Sequence, residues 1–233
     1  MRILSTAALA AALSFALLSA HGAELALEAE LAQTVVRPMQ AAVPQSAANR
    51  GGQKPNDPSN GQFIWAPGAP NQNGGNAGYA RFTVPIENRG SYMLFGHVIA
   101  WDNRSDTFWV TIWQDGNRKA DQDRNPQRSR NLAYQWRLRP KSPVWVWDRV
   151  DHRRDAGGRM DRVWELKEGL AVITVWTNEN AAMLDALYLT DNPTARTGRL
   201  PTKRERDWQS RNFDLGVDPK GKLASTWGQM KAR

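Results

Sequence analysis

The sequence predicts an all-β protein, a jelly-roll β-sandwich followed by a basic C-terminal tail. Two observations carry that prediction. From Gly78 onward, apolar residues recur at every second position in short runs, which is the period of a half-buried strand. Turn residues separate the runs, as they do in sandwiches built from many short strands. A third observation fits. The chain has 233 residues and no cysteine, so its core must be held without disulfides, and eleven tryptophans supply much of its apolar surface.

Residues 1–22 have the pattern of a secretory signal. Arg2 is the positive start, Ile3 to Leu18 is apolar, and Ala20-His21-Gly22 brings small residues to the cleavage end. An uncleaved N-terminal anchor is the alternative, but no basic stop-transfer cluster follows. The expectation is a secreted or periplasmic, bacterial protein. No later stretch is apolar enough to span a bilayer.

The segment Glu24 to Gln33 is rich in Ala, Leu and Glu, a composition that favours helix. Residues 44–78 are rich in Gly, Pro, Asn and Gln and read as long loops. The first clear strand follows, with Ala80, Phe82, Val84 and Ile86 alternating against Tyr79, Arg81 and Thr83. Asn88-Arg89-Gly90 turns the chain into Tyr92 to Ala100, which is apolar on both faces apart from His97 and so reads as a central strand. Phe108, Val110 and Ile112 form the next set, ended by Asp115-Gly116. Residues 114–131 are polar and predict an exposed loop at one end of the sandwich. Trp145 and Trp147 lie in a fourth strand. Val163 to Leu166, Leu170 to Trp176 and Met183 to Thr190 complete the domain, whose expected span is 23–191.

After Asp191 the alternation stops. Asn192-Pro193 and Leu200-Pro201 mark a linker, Lys203-Arg204-Glu205-Arg206 is a mixed charge run, and Lys222 to Lys231 reads first as a poorly ordered terminus, with a short docking element or a partner-binding tail as the alternatives. The expectation is that 192–233 is dispensable for folding. The net charge of +8 resides largely here, with ten Lys/Arg against four Asp/Glu from Asn192 to Arg233. The sandwich itself is nearly neutral, which argues against specific nucleic-acid binding.

Three carboxylates suggest a metal. Glu28 and Glu30 stand at alternate positions and share one face if their segment is a strand. Asp185 joins them if the first and last strands meet. Clustered carboxylates repel unless a cation holds them, and hard oxygen ligands suit calcium.

The order LEAELA, RGGQ at Arg50 to Gln53, GYARFTVPIENRGSYMLFGHV from Gly78, SDTFWVTIWQDG from Ser105, VWVWDRV, VWELKEGLAVITVW and MLDALYLT resembles the calcium-containing β-sandwich carbohydrate-binding modules of families six and thirty-five, which are galactose-binding-domain-like. The resemblance covers roughly residues 25–191. It implies that the Glu24–Gln33 segment is the first strand, against its helix propensity. It also implies a structural calcium held by Glu28, Glu30 and Asp185, with main-chain carbonyls of Arg50 to Gly52 completing the shell. In many such modules an Asn directly before the Leu-Asp pair touches the sugar; here Met183 stands there.

A saccharide needs aromatic faces for its axial C–H groups and polar side chains for its hydroxyls. Trp65, Trp101, Trp145 and Trp147 are the candidate platforms. Trp101-Asp102-Asn103 is the leading one, because it lies where an apolar strand gives way to a polar turn. His152 and Asp155 fall in a second loop, and Asn178, Glu179 and Asn180 in a third. The acids Asp151, Asp155, Asp161 and Glu165 are interleaved with Arg149, Arg153, Arg154, Arg159 and Arg162, which reads as a salt-bridged surface. No nucleophile elbow, zinc helix, phosphate loop or dinucleotide fingerprint is present. The lead expectation is a non-catalytic binder of polysaccharide or cell-wall glycan. A sandwich that binds a protein partner or the cell envelope through its tail is the second reading, and a polysaccharide hydrolase or lyase the third.

Overall fold

The computed structural model describes residues 23–49, 51–68, 78–117, 135–153 and 159–213. Residues 1–22, the 118–131 part of the expected end loop, Arg50, Asp155 and the Lys222 to Lys231 element lie outside the described residues.

The strands are β1 (Glu24–Glu28), β2 (Thr34–Val36), β3 (Gln40–Ala42), β4 (Phe63–Trp65), β5 (Tyr79–Ile86), β6 (Gly90–Ala100) and β7 (Thr107–Trp113). They continue as β8 (Gln135–Arg137), β9 (Ser142–Arg149), β10 (Asp151–Arg153), β11 (Arg159–Asp161), β12 (Trp164–Leu166), β13 (Gly169–Thr177) and β14 (Met183–Thr190), and one helix follows, α1 (Lys203–Phe213). One sheet runs β12-β6-β14-β4-β3, with β9 also on β6 and β1 also on β14; the other runs β2-β5-β13-β7-β8. All pairings are antiparallel. This is the β-sandwich that the alternation predicts.

The core lies between the sheets. Leu25 and Leu27 of β1, Leu94 and Val98 of β6, and Leu187 and Leu189 of β14 face Phe82 and Val84 of β5, Val110 and Ile112 of β7, and Ile173 and Val175 of β13. These are the inward halves of period-2 strands. Gly96 is glycine for space: a Cβ there would sit 2.3 Å from the Trp136 ring.

β1 is a strand, as the resemblance implies. Its helix propensity loses to pairing along β14 from Glu24↔Thr190 to Glu28↔Ala186. Propensity is a weak prior that five paired residues, four of them buried, override.

The chain beyond Asp191 contributes to this fold, so an end at Asp191 is too early. Thr202 and Glu205 form a reciprocal cap on α1: Glu205 N donates to Thr202 Oγ1 (3.2 Å) and Thr202 N donates to Glu205 Oε2 (2.8 Å). Trp208 is fully buried in the main core. Glu205 and Gln209, one turn apart, cover the open edge of β1. Ala26 N donates to Glu205 Oε1 at 3.1 Å and Glu28 N to Gln209 Oε1 at 2.9 Å, while Gln209 Nε2 donates to Glu28 O at 2.8 Å. An i,i+4 helix step is about 6 Å and an i,i+2 strand step about 6.6 Å, so two side chains reach two alternate amides. A helix in this position removes an exposed strand edge.

Candidate functional site

Three regions bear on function. The first is the carboxylate pocket. Pairing of β1 with β14 does bring Glu28 and Asp185 together, both fully buried. A bulge between Leu184 and Ala186 aims Asp185. Ser59 clamps the pair, its Oγ donating toward Glu28 Oε2 at 2.5 Å and lying 3.1 Å from Asp185 Oδ1, while its N–H donates to Asp185 Oδ1 at 3.0 Å. Glu30 takes a hydrogen bond from Asn60 Nδ2 at 2.8 Å, and its Oε2 is buried without a partner. Burial pushes the Glu28 carboxyl up to about 7, and Glu30 to about 8 with Glu28 and Asp185 adding repulsion.

The orphaned Glu30 oxygen is what a cation site would show, but the rest of the donor set does not fit calcium. Arg206 of α1 places Nη1 3.3 Å from Glu28 Oε1, and His97 Nδ1 lies 2.6 Å from Asp185 Oδ2. Gly51 and Gly52 sit in an exposed turn that Asn49 and Gln53 close on themselves. Among the described residues, no three His, Cys, Asp or Glu side chains are grouped to hold a metal.

The second region is the loop end. Trp101, Asp102, Asn103, Asn178 and Asn180 do gather there, at the ends of β6, β7, β13 and β14. The tryptophans do not form a platform. Trp65 and Trp145 are buried with Phe63, Ile99 and Met183, and half-buried Trp101 packs on them. Trp145 also donates its indole N–H to Asn56 O at 2.9 Å. Trp147 is half-buried, packs on His97 at 5.0 Å between ring centroids, and lies under Gly198, where a Cβ would come within 2.4 Å of the ring. These faces serve packing here, with Trp101 and Trp147 partly exposed. Asp102 caps its own turn, accepting from Arg104 N–H and Ser105 Oγ. Asn178 is buried, and Asn180 is half-buried beside Gly68. The backbone of His152 lies in β10, paired with β11, and its neighbour Asp151 accepts from Arg137 N–H at 3.3 Å.

What opens at this end is a broad cleft of about 780 Å³ lined by Asn103, Arg137, Arg139, Pro140 and Lys141. Buried Asp106 holds two of its cations, with Arg137 Nε at 3.2 Å and Lys141 Nζ at 2.8 Å. Burial works against the Asp106 charge, but the bonds from Lys141, Thr107 and Arg137 outweigh it and hold the carboxyl low. Beside it, burial pushes the Glu179 carboxyl up, to about 7, although Glu179 Oε2 accepts from Asp106 N–H.

The third region escaped the sequence reading. On the outer face of the second sheet, register aligns Thr83, Val172 and Trp113 in one row, Arg81, Thr174 and Thr111 in the next, and Tyr79, Trp176 and Trp109 in the third. A groove of about 290 Å³ runs over Arg81, Thr83, Thr111, Trp113, Val172 and Thr174. Trp113, Val172 and Arg81 are half-buried, whereas Thr83, Thr111, Thr174, Trp109 and Trp176 are buried. Arg81 stacks over Tyr79 at 5.0 Å, and Tyr79 packs on Trp176 at 4.8 Å. No described residue hydrogen-bonds to the hydroxyls of Thr83, Thr111 or Thr174. The signal was present: the residues between Phe108, Val110 and Ile112 are Trp109 and Thr111, with Trp113 next.

No family model and no curated protein matches the chain. Among solved structures it is similar to the C-terminal CBM6 of LamC, a marine laminarinase from Zobellia galactanivorans, with 10% identity over 72% of this chain and 99% of that one, TM-score 0.42. It is similar also to a family 35 carbohydrate-binding module from Clostridium thermocellum, with 14% identity over 72% of this chain and 97% of that one, TM-score 0.42. A third is a GH26-CBM35 β-(1,4)-mannanase from Podospora anserina, with 12% identity over 74% of this chain but 29% of that one, TM-score 0.42. These likenesses assign neither ligand nor activity to this chain.

Proposed function

We propose that this protein is a secreted, non-catalytic saccharide-binding β-sandwich that engages a polysaccharide across the outer face of its second sheet. The observation that supports this reading is the groove on that face, where the half-buried Trp113 and Arg81 border Thr83, Thr111 and Thr174, buried residues whose hydroxyls take no hydrogen bond from a described residue. An indole face takes the C–H side of a pyranose ring, while a guanidinium reads its oxygens. At about 290 Å³ the groove has room for one or two rings at a time. Such contact is weak per ring and strengthens along a chain. The groove lining contains no carboxylate, and hydrolysis of a glycosidic bond ordinarily needs a pair. Secretion rests on the signal pattern of residues 1–22.

Affinity electrophoresis through gels containing neutral polysaccharides tests the reading. The wild type is retarded in at least one gel, and Trp113→Ala migrates freely while keeping its melting temperature. Equal retardation of both proteins would refute the assignment of the face.

The cleft of Arg137, Arg139 and Lys141 favours a second reading, an acidic saccharide at the loop end. Its arm of the test is a uronate polysaccharide gel. Retardation that salt weakens and Arg139→Ala abolishes would support it.

A further inference from the structure

We propose that Arg206 serves as the cation of the Glu28–Asp185 pocket, with His97 as the hydrogen-bond partner of Asp185, so that the chain folds without calcium and its C-terminal helix supplies the compensating charge. Both carboxylates are fully buried, and each has a protein partner beside it, the Arg206 guanidinium 3.3 Å from Glu28 and the His97 ring nitrogen 2.6 Å from Asp185. A buried carboxylate without a partner is strongly destabilising, so something must answer it. Arg206 is fixed for the task. Its Nη1 also donates to Pro201 O at 2.7 Å, and α1 is anchored on the same strand by Glu205 and Gln209. His97 is wedged between Trp145 and Trp147 at 5.7 and 5.0 Å. Ser59 ties the two carboxylates together with its hydroxyl and its N–H. A divalent ion bound to Glu28 would have to compete with a guanidinium already held from the other side.

The test uses the full chain. Wild type is melted in EDTA and in calcium, and its metal content is measured by plasma mass spectrometry. The expected result is no bound calcium and midpoints that agree within about 1 °C. Arg206→Gln should melt lower in EDTA and recover in calcium, by roughly 5–10 °C at saturating ion if the vacated pocket now takes it. Arg206→Lys, which keeps the charge, should stay indifferent to calcium. One calcium per wild-type chain, or a wild-type midpoint that falls in EDTA, overturns the proposal. So does an Arg206→Gln protein that melts like wild type in both buffers. If Arg206→Gln fails to fold, the metal content and midpoints of the wild type decide the matter alone.

Discussion

Replacing Trp208 by alanine should destabilise the whole sandwich, although the residue lies seventeen positions beyond the last strand's closing Asp191. Trp208 is fully buried and belongs to the same cluster as Leu25 and Leu27. Truncating a fully buried tryptophan costs about 3–5 kcal/mol, from lost transfer free energy plus an unfilled cavity. For a domain of this size each kcal/mol moves the midpoint by about 2–4 °C, so the expected fall is roughly 6–20 °C. Truncation after Thr194 should cost more. It also removes the Glu205 and Gln209 bonds to Ala26 and Glu28, each worth about 0.5–1.5 kcal/mol, and exposes the β1 edge. Thermal unfolding followed by circular dichroism measures both, with Trp208→Phe as the variant expected to recover most of the loss. A Trp208→Ala protein that melts within about 3 °C of wild type would show that α1 does not share the core. The truncated chain should then be as stable as the full one, which is what the sequence alone suggested.

Other variants probe single contacts. Gly96→Ala should cost several kcal/mol by equilibrium denaturation, since its Cβ would meet the rigid Trp136 ring; overpacking alone costs about 1–3 kcal/mol. Trp101→Ala should lower the melting midpoint by several degrees yet leave polysaccharide retardation unchanged, because its ring packs on Phe63, Trp65 and Trp145. Glu179 predicts a pH dependence. Its folded-state pKa lies above the unfolded value, so the native state binds more protons and stability falls as pH rises from about 4.5 to about 7. Midpoints measured across that window should decline in wild type and decline less in Glu179→Gln; parallel curves would remove Glu179 from the account.

The inner half of each strand was legible because burial imposes a period of two, and Phe108, Val110 and Ile112 announce it. The outer half of the same strands held the groove; its local sign was the alternation Trp109, Thr111, Trp113, which gains meaning only when register aligns it with Arg81, Thr83 and Thr174. The packing of the tryptophans expected as platforms is hidden in the sequence. What covers them comes from far away: Asn56 reaches Trp145, and Gly198 lies on Trp147. The helix was obscured because, among its described side chains, a single tryptophan is buried and apolar while the other buried ones, Glu205 and Gln209, are polar, so no apolar periodicity shows. Its one local sign was Thr202 followed three positions later by Glu205, a capping pair. The charges read as a solvated run are partly structural, since Arg199 and Glu205 pair at 2.7 Å and Arg206 reaches Glu28.

The most direct test of saccharide binding at the second sheet is to watch the tryptophans themselves. Indole N–H signals, assigned by single Trp→Phe changes in isotopically labelled protein, are followed while an oligosaccharide from the retarding polysaccharide is titrated in. The account predicts that Trp113 shifts first and furthest, with Trp176 and Trp109 following, while Trp65, Trp101, Trp145 and Trp147 stay in place. Shifts confined to Trp101 and its neighbours, with Trp113 unmoved, would return the site to the loop end and contradict the account.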